Sequence, residues 1–384
     1  MRGTQSPGEE GSLRALLQLA SVPGLGPRTR RELISRFGGP QAVLSATAAT
    51  LRGVGQLRSA VAEALLESSA DEADRILEVC RKKGVELLPE SDPHYPPLLG
   101  RIDDPPGILF VRGELQPADA LAVAVVGARH ATAYGHKVAK QLGGALARAG
   151  YTVVSGLARG IDAAAHQGAL AAGGRTLAVL GSGVLNVYPP EHRGLADEIE
   201  ASGAVISELP PLTKPSSGAF PQRNRIISGL SLGVVVVQAA ERSGAMITAR
   251  LASEQGREVF AVPGDIDCRM SQGCHRLIQD GAKLVGGIDD ILEELGPLFE
   301  TVVSPAGCQV SQTTAPAVSR PAELALDNTE RQVFDAIPTS AEGCLVDRVI
   351  GETGLDASQV LGTLCLLETR RLVKRLPGSR VARR

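Results

Sequence analysis

The 384-residue chain contains no tryptophan, and aromatic residues make up only 3% of it. An aromatic side chain in an arginine-rich neighbourhood, as Phe220 is, therefore stands out. The six cysteines, Cys80, Cys268, Cys274, Cys308, Cys344 and Cys365, form no CxxC pair, which excludes zinc-ribbon spacing. Cys268, Cys274 and His275 lie close together but lack a fourth ligand, so no metal site is expected. Scattered thiols fit a reducing compartment. No apolar run reaches transmembrane length, and the polar start "MRGTQSPGEEGS" lacks the apolar stretch of a signal peptide. A soluble, cytoplasmic protein with no membrane partner is expected. The pattern GxxxxGK(S/T) is missing, which excludes a P-loop ATPase. A net charge of -2 neither implies nor excludes a nucleic-acid partner, so the distribution of charge matters more than its sum.

The length suggests two or three domains. Residues 1–11 read as a disordered tail and 12–70 as a helical module. Residues 71–298 read as an α/β core with an N-terminal extension, 299–324 as a polar linker and 325–384 as a winged helix. In the helical module, the turns Gly24-Leu25-Gly26 and Gly53-Val54-Gly55 separate helical patterns and are surrounded by Arg28, Arg30, Arg31, Arg52 and Arg58. Such turns resemble paired helix-hairpin-helix units that bind DNA backbone; a protein-interaction domain with a solvated basic face fits equally well. The extension holds a helix, a strand at 85–88 and a Pro-rich stretch. The C-terminal segment holds three short helical patterns and then a basic strand-turn-strand. Its third helix, "ASQVLGTLCLLETRR", is more apolar than a DNA-reading helix usually is, which favours partner docking or weak DNA binding.

From Leu121 onward, strands and helices alternate. The run "LAVAVVGA" is apolar throughout, as in a strand buried on both faces. The fold class expected is α/β: a Rossmann-like, doubly wound, mostly parallel sheet. In such sheets ligands bind beyond the carboxyl ends of the strands. The loops that begin there carry Arg129; Ser155, Gly156, Arg159 and Gly160; Phe220, Arg223, Asn224 and Arg225; and Ser243 and Gly244. Glycines admit a ligand to the backbone, and the helix N-termini that follow favour anions. Together they predict a multi-phosphate site.

Several ligands compete for it. A dinucleotide expects GxGxxG after the first strand and an acid after the second; the chain has Gly127-Ala128-Arg129 and Ser155-Gly156 instead. A nucleotide-binding hydrolase could use His130, His136, His166 or His192 with Asp162 or Glu208, but no nucleophile elbow is present. A protein-interaction scaffold would bind neither nucleotide nor DNA. Single-stranded DNA fits best, because its binders track phosphates with arginines and stack bases on aromatics. In "FPQRNRIISGLS", Arg223 and Arg225 point to different sides of a helix, so one would reach a phosphate and the other would cross toward a carboxylate or the neighbouring loop and fix the site. Asn224 would bridge backbone groups. Phe220 is placed just outside the helix, to stack on a base or to staple the helix end.

The stretches "VGARHATAYG", "SGLARGIDAAAHQGAL", "TLAVLGSGVLNVYPPEHRGL", "FPQRNRIISGLS", "RSGAMITARLASEQGREVFAVPG" and "GCHRLIQDGAKLV" resemble the DNA-processing protein A family, also called Smf. The resemblance spans the α/β region nearly end to end and implies a non-enzymatic mediator of natural transformation and recombination. Such a protein protects single-stranded DNA and loads a RecA-type recombinase onto DNA carrying single-strand-binding protein, with no cofactor. Arg129 and Arg159 would contact DNA, Ser155, Gly156 and Gly160 would form a phosphate turn, and Phe220, Arg223, Asn224 and Arg225 a stacking and backbone wall. Ser243 and Gly244 would line the far side. His275, Ile278 and Leu284 would form a homodimer surface overlapping the recombinase-docking surface, although Ile278 and Leu284 read by themselves as core. Gln238 stands where the family usually has glutamate, which would remove a partner for an arginine or rewire it through Glu208 or Glu241.

Overall fold

The computed structural model describes residues 7–54, 57–303, 328–338 and 344–356, with shorter stretches between 359 and 383. Two compact units divide the chain, Met1–Ala306 and Gly307–Arg384. The expected linker at 299–324 falls largely outside the described residues, and the helix before it continues to Val303.

The larger unit is built on nine strands: β1 (Glu86–Pro89), β2 (Ile108–Gly113), β3 (Ala122–Val126), β4 (Thr152–Ser155), β5 (Thr176–Val179), β6 (Ala204–Ser207), β7 (Gly233–Val236), β8 (Glu258–Ala261) and β9 (Lys283–Leu284). Their order is β1-β2-β6-β5-β4-β3-β7-β8-β9. From β6 to β9 all pairings are parallel, as the alternating pattern predicts, while β1 and β2 add an antiparallel edge. Strand β2 was hidden by its surroundings: the prolines of "DPPGILFVRG" stop just short of Ile108 and leave a clean apolar run.

Alternate residues of β3 show why the run is apolar throughout. Val123 and Val125 pack with Ala139, Leu142 and Leu146 of α7 (Ala133–Arg148) on one face. Ala122, Ala124 and Val126 pack with Ile226 and Ile227 of α10 (Ala219–Gly229) and Ala249 of α11 (Gly244–Glu254) on the other. Two more helices flank the sheet, α8 (Ile161–Ala171) and α9 (Arg193–Ser202). The chain winds outward from β3 to β6, then returns to β7 on the other side of β3. The switch point therefore lies between β3 and β7, where loops part in opposite directions and leave a crevice.

The N-terminal helices depart from expectation in two ways. Helix α1 (Pro7–Ser21) begins inside the expected tail. The helical region is also not a separate unit. Its own core gathers Leu19, Leu25, Leu33, Val43 and Leu51, but Leu13 and Leu17 of α1 join Phe110, Ala178 and Val205 of the sheet. Its arginines do not share one open face. Arg30 of α2 (Pro27–Phe37) is buried beside Gly107, and Arg31 pairs with Glu90 at 3.1 Å, while Arg28 and Arg58 are exposed. Gly55 and the Arg52 side chain lie outside the described residues.

The smaller unit is a winged helix. Helix Asn328–Asp335 precedes β10 (Cys344–Leu345) and helix Val346–Thr353 follows it; β10 joins β11 (Val373–Leu376) and β12 (Arg380–Arg383) in an antiparallel sheet ordered β10-β12-β11. Val360, Leu364 and Leu367, spaced for one helical face, are buried in its core with Val333, Phe334 and Val349. That packing explains the apolar character of the third helical pattern.

Candidate nucleic-acid interface

A cleft of about 400 Å³ opens at the switch point. Its walls come from the β3–α7 loop (Gly127, Ala128, Arg129), the β4–α8 loop and the first turn of α8 (Ala158, Asp162), the first turns of α10 (Phe220, Arg223, Asn224) and the start of α11 (Ser243, Gly244, Thr248). The loops are laced by their backbones. The Ala128 amide donates to the Gln238 carbonyl at 2.7 Å, and the Ile161 amide donates to the Ala128 carbonyl at 3.2 Å. Gly160 has φ +78°, and a Cβ there would sit 2.2 Å from the Ala128 carbonyl oxygen. Only glycine lets the two loops come this close.

Asp162 organises the floor. In the first turn of α8, its carboxylate accepts from the amides of Gly156 (3.1 Å) and Ala158 (3.3 Å). Burial raises its pKa, against the pull of Arg223 and those amides. Arg223, also buried, donates to the carbonyls of Gly156 (2.7 Å) and Val179 and to Asn224 Oδ1 (3.3 Å). Burial draws its pKa down to about 10, opposed by Asp162. It still carries its charge at neutral pH and holds the ends of β4 and β5 together beneath the cleft. Asn224 donates to the Gly244 carbonyl at 3.2 Å and ties α10 to α11. The Ser243 hydroxyl is buried without a hydrogen-bond partner, beside the orphan amides that open α11. A phosphate oxygen would satisfy both.

The rim is aromatic and cationic. Phe220 lies within the first turn of α10, not outside it. Its ring lies against Gly181, beneath the exposed Arg129 guanidinium at 5.2 Å and beside Tyr188 at 5.7 Å, tilted by 48°. Arg159 is half-exposed and pairs with Glu191 at 2.5 Å.

Four expected contact residues face inward: Arg223 and Gly156, bonded to each other beneath the cleft, and Ser155 and Arg225. Ser155 is fully buried and donates to the Val125 carbonyl at 2.6 Å, because it still belongs to β4. Arg225 reaches away from the cleft, to both oxygens of Glu208 (2.9 and 2.8 Å) and to Asp104 (3.2 Å). Arg225 is thus the arginine on the carboxylates, while Arg223 spends its donors on the loop carbonyls of Gly156 and Val179 and on Asn224 beneath the cleft. Gln238 serves neither arginine. Its side chain accepts from the Thr132 amide (3.0 Å) and donates to the Thr132 hydroxyl (2.9 Å), which caps α7. Tyr188, Glu191 and Asp104 were not singled out from the sequence. An aromatic three residues before an acid in a ligand-side loop was the available signal for the first two; Asp104 offered none.

Of the four candidate histidines, His130 is exposed in the β3–α7 loop and the other three are occupied elsewhere. His166 is buried against the Thr176 hydroxyl at 2.7 Å, and burial lowers its pKa to about 3. It does not line the cleft with Asp162. His192 Nδ1 lies 2.8 Å from the Leu157 carbonyl and His136 Nδ1 lies 2.9 Å from the Thr132 carbonyl. Among the described residues no cluster of His, Cys, Asp and Glu could hold a metal ion. Nor is any helix among them long and apolar enough to cross a membrane. At the far edge of the sheet, Leu284 is 47% exposed on the two-residue β9 and Ile266 is 81% exposed in the loop after β8. Ile278 is half-buried on α12 (Gln272–Gln279), and His275 Nε2 lies 2.9 Å from the Gly264 carbonyl. Leu284 is therefore not core.

The sequence profile of DNA recombination-mediator protein A matches residues 86–296, the sheet and its cleft, and that of the DprA winged helix domain matches residues 315–379. The chain belongs to the DNA recombination-mediator protein A family. It is 37% identical to Protein Smf of Synechocystis sp. over 81% of this chain and 83% of that protein. It is 43% identical to the DNA processing protein DprA of Bacillus subtilis over 62% and 81%. The X-ray structure of DNA processing protein A from Streptococcus pneumoniae superposes with a TM-score of 0.66 at 35% identity, covering 73% of this chain and 97% of that one. DNA processing protein A from Helicobacter pylori, solved to show its mode of binding single-stranded DNA, superposes at 0.50 and 29% identity, covering 56% and 96%. Within the family, this chain carries the cleft at the switch point of its sheet and places every cationic or aromatic group of that cleft on a strand-end loop or a helix first reached from one.

Proposed function

We propose that the chain is a single-stranded DNA-binding recombination mediator whose DNA site is the switch-point cleft. The observation that carries this reading is the meeting of Arg129, Arg223, the unpartnered Ser243 hydroxyl and the Phe220 ring in one cleft, from three separate segments. Cations and helix-end amides take phosphates, and the aromatic rim takes bases without choosing among them. Membership of a recombination-mediator family and the single-strand binding of the Helicobacter pylori relative support the same ligand. On this reading the protein acts in the cytoplasm in natural transformation, protects incoming strands and passes them to a RecA-type recombinase in the presence of single-strand-binding protein. Its exposed edge at Leu284, with Ile278 and His275, forms a homodimer and the recombinase-docking surface. Chemistry on a nucleotide is disfavoured by the burial of His166, which keeps the Asp162 and His166 side chains from acting together on a ligand.

The test is binding of single-stranded and duplex oligonucleotides across a salt series, with Arg129→Ala and Arg159→Ala alongside. Single-strand preference, a steep salt dependence and loss in both variants are expected. Equal binding of both forms, unchanged in the variants, would refute the assignment of the cleft and turn attention to the N-terminal arginines. Turnover of a nucleoside phosphate would favour a hydrolase.

A further inference from the structure

Both exposed arginines at the rim are held by exchangeable partners: Arg129 lies over a ring, and Arg159 is gripped by Glu191. The Arg159 and Glu191 side chains are 47% and 50% exposed, so their pairing is of the weak, solvent-screened kind. A phosphodiester offers the same geometry to the guanidinium without the cost of a fixed protein charge nearby. Tyr188 sits three residues before Glu191 on the same loop, half-buried, with its ring beside that of Phe220. Phe220 already has Gly181 against its ring and Arg129 over it, so Tyr188 supplies aromatic surface that Phe220 alone does not.

We propose that Glu191 competes with the DNA backbone for Arg159, and that its displacement opens a further nucleotide position on the Tyr188 ring. The carboxylate would then act as a built-in phosphate mimic, neutralising Arg159 until a strand long enough to reach it enters the cleft. This rests on the DNA-binding reading of the cleft.

The test uses the full chain and fluorescent oligothymidylates of increasing length over a salt series. Glu191→Gln is expected to bind about fivefold more tightly at low salt, the scale of one exposed ion pair released. Its salt slope should steepen by about one phosphate contact. In Arg159→Ala the gain from Glu191→Gln should vanish. Tyr188→Ala should lose at least about fivefold on long oligonucleotides and nothing on the shortest that wild type holds, with Tyr188→Phe restoring the loss. Unchanged thermal midpoints would separate these effects from folding. Glu191→Gln binding no tighter than wild type would mean that Glu191 orients Arg159 and does not compete, which overturns the proposal. So would a Tyr188→Ala loss that is equal at every length, or absent. Wild type that binds no oligonucleotide would instead overturn the DNA-binding reading itself.

Discussion

Replacing Arg223 by methionine tests whether the cleft is held open by a buried charge. The guanidinium donates to the Gly156 and Val179 carbonyls and to Asn224, and it faces the Asp162 carboxylate from inside the protein. Methionine keeps much of the volume and removes the charge. Asp162 would be left with only the Gly156 and Ala158 amides, and two strand-end carbonyls would lose their donor. Breaking a buried pair by removing one partner costs about 3–5 kcal/mol. We expect about 4 kcal/mol, read as a shift in urea midpoint followed by circular dichroism at constant m-value. Adding Asp162→Asn should recover about 1–2 kcal/mol, because it removes the stranded charge. Arg129→Ala, by contrast, should leave stability within about 0.5 kcal/mol, since Arg129 is exposed, while weakening DNA binding. An Arg223→Met cost below about 1 kcal/mol, or no coupling to Asp162→Asn, would refute the reasoning.

Three further outcomes follow from the same geometry. Gly160→Ala combines a left-handed φ of +78° with a Cβ 2.2 Å from the Ala128 carbonyl oxygen, and should destabilise by about 3 kcal/mol and abolish DNA binding, as read by urea unfolding and oligonucleotide titration. His166 has its pKa lowered from 6.5 to about 3 by burial, so the neutral ring stabilises the fold above pH 6.5 and that contribution is lost as pH falls. The unfolding free energy from urea titration should therefore drop by about 2 kcal/mol between pH 7 and pH 5 relative to His166→Leu. If the exposed edge at Leu284 is the dimer surface, Leu284→Glu should shift the protein to a monomer in sedimentation velocity without lowering its thermal midpoint.

What the sequence revealed follows from periodicity. Strands β3 to β8 were legible because each is an apolar run bounded by glycine or polar residues, and their alternation with helices fixes a parallel sheet with its loops at one end. The arginines and glycines of those loops could be gathered into one site on that basis alone. The partners were not legible. Arg225 finds Asp104 across 121 positions, and Gln238 finds Thr132 across 106, and no local pattern encodes such a meeting. Ser155 was gathered with the ligand-side residues because it stands at the end of its strand, yet it still belongs to β4 and its hydroxyl turns inward to the Val125 carbonyl. The helical N-terminus misled for a similar reason. Its own apolar pattern satisfies a small core, and nothing in it announces that Leu13 and Leu17 belong to another.

That shared core bears on how the protein can be cut. A fragment starting at residue 71 would seem a natural minimal version, since it keeps every strand of the sheet. It would strip α1 from Phe110, Ala178 and Val205 and bare an oily surface over β2, β5 and β6. It would also take the buried Arg30 cation away from Glu208 and Asp104, the two acids that hold Arg225. Such a piece should be recovered poorly and prone to clumping, and weak DNA binding by it would say little about whether the missing helices touch DNA.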